Sequence, residues 1–225
     1  MLITEYFFLI ACDPRSGQLA WPRREQAADQ LAAAALALDL AAAERLQWND
    51  GCLHADAGFP LNNPLLTDAM RLLAAYDLTV NEALSALVRQ MAPLPQRVLD
   101  ALYRRDLVHR LESRDWLLRK RVRYPLRSMQ ARNEALQHLQ SAAHQDDPHG
   151  LALLMLADMS GLLAAHLQAR DHEAAMQRLL ALNAVGADDP PARRVLAAIR
   201  ATLLASRTRA TRVALQTNSP ACPYH

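Results

Sequence analysis

Residues 23–43 contain so many alanines that few kinds of fold can accommodate them. Leu31, Ala34, Ala35 and Leu38 recur at helical spacing, and alanine fills most of the other positions. A helix with small side chains on several sides allows neighbouring helices to approach closely all around it. The segment therefore predicts a helix over residues 23–43 at the centre of the molecule.

The rest of the composition also favours helices. The chain has six glycines and 5% aromatic residues, whereas a β-sandwich or barrel would need more aromatic and β-branched residues. With 225 residues, 52% of them hydrophobic, it can bury a core without metal or disulfide bonds. We expect a mainly α fold, a compact multi-helix domain with a central helical bundle and one or two small β-hairpins. That single domain spans residues 1–213, and a disordered tail follows at 214–225.

A second apolar run, at residues 151–167, approaches the length needed to span a membrane. Asp158 lies at its middle, however, and a charged side chain there costs about 3 kcal/mol on insertion scales. The run is therefore predicted to be a buried core helix.

Several short motifs predict where elements begin or turn. Asn63-Pro64 and Asp147-Pro148 each combine a capping side chain with a proline suited to the first helical position. Thr79 with Glu82 forms a capping-box pattern. Asp50-Gly51 predicts the turn of one hairpin, and the stretch after the helix that begins near residue 98 predicts a second.

The sequence contains no pattern typical of a catalytic centre. The sequence has no Gly-rich phosphate loop, no nucleophile elbow and no helix with paired metal ligands. We therefore expect that the protein is not an enzyme and binds no cofactor. Ser160 lies inside an apolar helix, where a hydroxyl usually bonds to the preceding turn. Two histidines and two aspartates lie close together in one loop, as metal ligands can: His144, Asp146, Asp147 and His149. Helix capping explains the two aspartates without a metal.

The three cysteines, Cys12, Cys52 and Cys222, are far apart. Their spacing supports neither a disulfide framework nor a zinc site. A reducing compartment fits this usage, and we expect a cytoplasmic protein.

Positive charge is concentrated in one segment, although the net charge of the whole chain is only +2. Residues 97–132 carry eleven basic and four acidic side chains, a net charge of +7, whereas the remaining residues carry −5. The basic residues are Arg97, Arg104, Arg105, Arg110, Arg114, Arg119, Lys120, Arg121, Arg123, Arg127 and Arg132. Such a segment attracts anionic lipid at about 1 kcal/mol per basic residue.

The basic segment also contains an apolar triplet, Trp116-Leu117-Leu118, in the predicted hairpin. Tryptophan suits the lipid–water interface, because its ring is buried while its N–H stays hydrated. Two other interpretations remain open from spacing alone. The triplet can pack back onto the core with the arginines solvating the surface, or a helix followed by a basic wing can contact nucleic acid phosphates.

The order of motifs along the chain resembles that of the Golgi phosphoprotein 3 family of peripheral membrane proteins. The resemblance runs from about residue 2 to residue 184. Its elements include Thr4-Glu5, Trp21, the Asp50-Gly51 turn, Asn63-Pro64-Leu65-Leu66-Thr67-Asp68-Ala69, Val98-Leu99, Arg123-Tyr124-Pro125-Leu126 and Asp147-Pro148-His149. The resemblance implies a helical fold, an apolar hairpin on the membrane-facing side and a pocket for phosphatidylinositol 4-phosphate. The Arg- and Ala-rich composition would suit a bacterial member.

In the family this pocket is built from a tryptophan and several arginines. Trp21 matches the tryptophan, but three positions where the family has arginine hold Gln30, Ala92 and Pro95. Nearby arginines can substitute, because guanidinium groups bind phosphate wherever geometry permits. The candidate headgroup-binding residues are therefore Trp21, Arg23, Arg24, Arg89 and Arg97.

The resemblance also places the apolar triplet, Trp116, Leu117 and Leu118, at the family's membrane-inserting tip. The candidate basic surface around it consists of Arg114, Arg119, Lys120, Arg121 and Arg123. We expect a peripheral membrane protein that binds anionic lipid, with protein clients and self-association through the hairpin as further possibilities. The alternative is a helical interaction or regulatory module without lipid binding, and nucleic acid is the less favoured partner.

Overall fold

The computed structural model describes residues 1–20, 28–59, 61–114 and 120–217. The protein is 63% helical, which confirms the mainly α prediction. The described helices are α1 (Ile3–Ala11), α2 (Ala28–Ala42), α3 (Pro64–Leu73), α4 (Val80–Gln90), α5 (Leu94–Arg104), α6 (Met129–Ala142), α7 (Pro148–Ser160), α8 (Leu163–His166), α9 (Ala169–Ala181) and α10 (Pro191–Thr217). The strands are β1 (Leu46–Asn49), β2 (Cys52–Ala55), β3 (Leu78–Thr79), β4 (Leu111–Arg114) and β5 (Lys120–Arg123).

Helix α2 forms the centre of the bundle, as its alanine content predicts. Every residue from Leu31 to Ala41 is buried, including the polar Asp39. Helices α1, α3, α4, α5, α7 and α10 all pack against it. The short alanine side chains permit this, because they let the surrounding helix axes come close.

The second apolar run also lies in the core, but it is divided into two helices. Gly161, with a φ of +81°, ends α7 in the left-handed conformation that glycine adopts without strain, and α8 follows. All of α7 from Gly150 to Ser160 is buried. Among the described helices, none combines the length and the hydropathy that crossing a bilayer requires.

The predicted capping motifs and the first hairpin are confirmed. Asn63 accepts hydrogen bonds from the N–H groups of Leu65 and Leu66 at the start of α3, and Thr79 forms a capping box with Glu82 at the start of α4. Strands β1 and β2 pair in antiparallel fashion around the Asp50-Gly51 turn. The sequence did not predict β3, which adds a third strand beside β2.

Helix α10 continues to Thr217, into the segment predicted as a tail from residue 214. Residues 218–225 lie outside the described part of the chain. The tail therefore stays a prediction for these last residues.

Candidate functional site

The predicted second hairpin is present immediately after α5. Strands β4 and β5 pair antiparallel, with Leu111 opposite Arg123, Ser113 opposite Arg121, and Arg114 opposite Lys120. We call residues 111–114 and 120–123 the ribbon. Its two strands carry four basic residues and one acidic residue, so the paired backbone holds a dense positive charge in a small area.

The ribbon is partly exposed and partly packed on the helical body. Val122 is half-buried and packs against the hydrophobic core. Leu111 is 54% exposed although it is a large apolar residue, and Arg123, which lies opposite it, is exposed as well. The pair formed by Leu111 and Arg123 is thus available to a partner.

The base of the ribbon is anchored by Tyr124, which is buried directly after β5. Its hydroxyl donates a hydrogen bond to Asp100 on α5 at 2.7 Å. Burial, together with this bond, raises the pKa of Tyr124 to about 12, so the hydroxyl stays protonated as a donor. An isolated bridge between Val108 and Leu126 closes the base below it.

The apolar triplet Trp116, Leu117 and Leu118, with Arg119, belongs to the five residues that join β4 to β5. These residues lie outside the described part of the chain. Their role at the tip of the ribbon follows from the chain order alone. It stays a prediction.

Four of the described arginines in residues 97–132 form ion pairs, and two of these pairs use carboxylates from outside this segment. Arg97 pairs with Asp68 at 2.7 Å, Arg127 with Asp106 at 2.5 Å, and Arg105 with Glu5. Arg110 pairs with Glu112 at 2.9 Å and lies 3.5 Å from Asp100. By contrast, Arg104 and Arg123 are exposed and form no ion pair with a described carboxylate.

The candidate headgroup residues are only partly described, because Trp21, Arg23 and Arg24 fall in the undescribed segment 21–27. Of the two that are described, Arg89 lines a cavity of about 370 Å³ between α2, α4 and α10, whereas Arg97 lines a different one. The structure therefore does not bring Arg89 and Arg97 into one pocket.

The three positions where the resemblance expects arginine lie on α2 and around the start of α5, and a hydrogen bond of 3.3 Å from the N–H of Leu94 to Asp29 joins these two places. Gln30 lines the same cavity as Arg89. Ala92 is exposed between α4 and α5, and Pro95 is in the first turn of α5. Arg89 is thus the described arginine that shares a cavity with one of these positions.

A second cavity, of about 330 Å³, lies between α5, the start of α3 and Glu5 of α1. Its α5 wall consists of Arg97, Ala101 and Arg104, and Arg105 follows directly after the helix. The sequence analysis placed Arg97 among the headgroup candidates and Arg104 and Arg105 in the basic segment, and it missed the cavity. The spacing of residues 97, 101 and 104, which places them on one helical face, was the signal that could have revealed it.

The ion pair between Arg105 and Glu5 should matter more to stability than its surface counterparts. The Glu5 side chain is only 4% exposed, whereas Asp106, the partner of Arg127, is 74% exposed. Replacing Arg105 with alanine leaves a buried carboxylate without its cation, and we expect the free energy of unfolding to fall by about 2 kcal/mol. Urea unfolding at neutral pH measures this loss.

The matched control is Arg127→Ala, which removes an arginine from an exposed pair. Exposed pairs contribute little, so this variant should change the free energy of unfolding by about 0.5 kcal/mol or less. Equal losses in the two variants would contradict the expected difference.

The residues singled out for catalysis or metal binding have structural roles. The Ser160 hydroxyl donates to the carbonyl oxygens of Leu156 and Ala157, as predicted. Asp147 accepts hydrogen bonds from two N–H groups at the start of α7, and Asp146 pairs with Arg178. Within the described part of the chain, no three His, Cys, Asp or Glu side chains converge as metal ligands would.

A family model described as Golgi phosphoprotein 3 (GPP34) matches residues 3–202, nearly the whole chain. No curated protein shows significant similarity to it.

Proposed function

The chain belongs to the Golgi phosphoprotein 3 family, and we propose that it binds the surface of anionic membranes as a peripheral protein. The ribbon supplies the electrostatic contact, and the triplet Trp116-Leu117-Leu118 at its tip enters the interfacial layer. The observation that supports this proposal is the basic, two-stranded ribbon, in which the described residues Leu111 and Arg123 are exposed.

Electrostatics and apolar burial each contribute to this binding. The four basic residues of the ribbon attract an anionic surface by about 1 kcal/mol each, which amounts to about 4 kcal/mol in total before screening. Burial of the triplet adds about 25 cal/mol for every Å² of apolar surface removed from water. The electrostatic and the apolar contribution together suffice for reversible binding to the membrane. Neither contribution alone would hold the protein there.

Selectivity for a phosphorylated headgroup would come from arginines outside the ribbon. Among the described candidates, Arg89 lines the same cavity as Gln30. Arg23, Arg24 and Arg97 are the others that the sequence offers. Flotation of the four single Arg→Ala variants with vesicles containing phosphatidylinositol 4-phosphate tests this selectivity, and unchanged binding in all four would remove it.

We expect Lys120→Ala combined with Arg121→Ala to weaken binding to phosphatidylglycerol vesicles about thirtyfold at low salt. The reason is the loss of two charges worth about 1 kcal/mol each. Trp116→Ala combined with Leu117→Ala should weaken binding about tenfold at fixed salt, because less apolar surface is buried. Vesicle sedimentation measures both effects, and raising the salt concentration should weaken wild-type binding.

Matched control variants separate the ribbon from general surface properties. Arg170→Ala combined with Arg209→Ala removes the same charge from exposed sites on α9 and α10, and Leu180→Ala removes an exposed leucine from α9. These controls should bind like the wild type. If instead the wild type ignores anionic vesicles at low salt, the proposal fails and the protein-interaction alternative takes its place.

A further inference from the structure

The cavity between α5 and the start of α3 has the features of a binding site for a phosphate group. We propose that it binds a phosphate monoester through Arg97, Arg104 and Arg105. This inference goes beyond the contact between the ribbon and the membrane, because the cavity and the ribbon share none of their residues. Of the headgroup candidates, the cavity contains Arg97 alone among those that the structure describes.

The arrangement of α5 gives the first argument. Residues 97, 101 and 104 follow the spacing that places side chains on one face of a helix, and they line the cavity together with Arg105, the residue that follows α5. Ala101, in the middle of this face, has a side chain too short to fill the space between the guanidinium groups. The opposite face of α5 is buried through Val98, Leu99 and Leu102. The three cations are therefore directed away from the core and around a common space.

The ion pairs position two of the three guanidinium groups. Asp68 holds Arg97 at 2.7 Å from one side of the cavity, and Glu5 holds Arg105 from another. A guanidinium has five N–H donors, so one carboxylate contact leaves donors for a second anion. Glu5 is almost completely buried, so it holds one side of the Arg105 guanidinium in place, while about half of the Arg105 side chain stays exposed.

Arg104 supplies the charge that these carboxylates do not balance. Three arginines and two carboxylates line the cavity, which leaves one net positive charge, and Arg104 forms no ion pair with a described residue. The N–H groups of Leu65 and Leu66 are already bonded to Asn63. An anion must therefore be held by guanidinium groups, whose planar fork matches phosphate oxygens.

The size of the cavity also fits a small phosphorylated group. A volume of about 330 Å³ lies at the lower end of the range for ligand pockets. A dianionic phosphate monoester would interact with the unbalanced charge more strongly than a monoanionic diester of similar size. The same chemistry occurs in soluble phosphate monoesters and in the headgroup of phosphatidic acid, and the experiment separates these sources.

The test uses the full chain and isothermal titration with glycerol 3-phosphate. The wild type should give a saturable isotherm, and Arg104→Ala should weaken the affinity about tenfold by removing a charge-assisted contact. Ala101→Leu, which fills the space between the arginines without changing any charge, should also weaken it. Arg170→Ala on α9 should leave the affinity unchanged. Circular dichroism establishes that each variant is folded.

Vesicles decide the source of the phosphate. If phosphatidic acid vesicles bind in a way that depends on Arg104 while phosphatidylglycerol vesicles do not, the cavity binds a lipid headgroup. If only the soluble ester depends on Arg104, it binds a soluble metabolite. Absence of saturable glycerol 3-phosphate binding together with Arg104-independent vesicle binding overturns the inference, and the ribbon variants test the membrane proposal separately.

Discussion

Replacing Gly17 with alanine is expected to lower the free energy of unfolding by about 4 kcal/mol or more. A Cβ atom at this position would lie 2.2 Å from the backbone nitrogen of Pro125 and 2.4 Å from the carbonyl carbon of Tyr124. Both are backbone atoms, which cannot move aside as a side chain can. Gly17 also has a φ of +65°, in the region that favours glycine. Thermal or urea unfolding measures the loss.

The position of Gly17 connects this prediction to the candidate site. Its carbonyl oxygen accepts a hydrogen bond of 3.1 Å from the N–H of Tyr124, which anchors the base of the ribbon. In the fraction of the Gly17→Ala protein that folds, the base of the ribbon should therefore be locally less stable. Faster amide hydrogen exchange at residues 120–124 than in the wild type would detect this.

Two other glycines separate the causes of the loss. Gly51 has a φ of +82° with no atom within 4 Å of an added Cβ, so Gly51→Ala should cost only the backbone strain, about 1 kcal/mol. Gly186 has open space and no left-handed conformation, and Gly186→Ala should change stability by about 0.5 kcal/mol or less. A Gly17→Ala loss no larger than that of Gly51→Ala would disprove the close backbone contact.

Replacing Asp39 with alanine should cost about 3 kcal/mol or more. This carboxylate on α2 accepts hydrogen bonds from the N–H groups of Ile3 and Thr4, at 2.7 and 3.1 Å, and from the Thr4 hydroxyl. It thereby caps α1 from a distant part of the chain, because the residue before α1, Leu2, has no side-chain acceptor. Alanine would leave two buried N–H groups and a hydroxyl without partners. Urea unfolding measures the effect.

The stability contributed by Asp39 should depend on pH. Burial raises the pKa of Asp39 to about 7, and the hydrogen bonds from Thr4 and Ile3 oppose this without cancelling it. Between the model-compound value of 3.8 and about 7, the folded state holds a proton that the unfolded state has lost. The contribution is therefore complete below about pH 4 and is lost as the pH rises through about 7.

The variant Asp39→Asn, which cannot ionise, isolates this effect. The free energy of unfolding of the wild type minus that of Asp39→Asn should decrease from pH 4 to pH 7.5. Asp13→Asn serves as a control of opposite sign, because hydrogen bonds from Ser16 lower the pKa of Asp13 and its contribution is lost as the pH falls. A difference for Asp39 that stays constant or increases with pH would contradict the expected titration.

Local sequence preferences account for most of the helices and turns of this protein. The alanine-rich helix, the caps at Asn63 and Thr79 and the turn at Asp50-Gly51 are encoded by residues within a few positions of one another, so local preferences suffice to predict them. The position of a hairpin after α5 was predictable for the same reason. The resemblance to a family, now confirmed over residues 3–202, likewise depended on the order of such local motifs.

Which basic side chains of residues 97–132 stay free of ion pairs depends on the tertiary structure. The sequence gives residues 97–132 a net charge of +7, but Arg97 finds its carboxylate on α3 and Arg105 finds its own on α1. The capping of α1 by Asp39 and the cavity around Ala101 arise in the same way. These features join residues far apart in the chain, and such contacts depend on how whole helices pack, which no short stretch of sequence specifies.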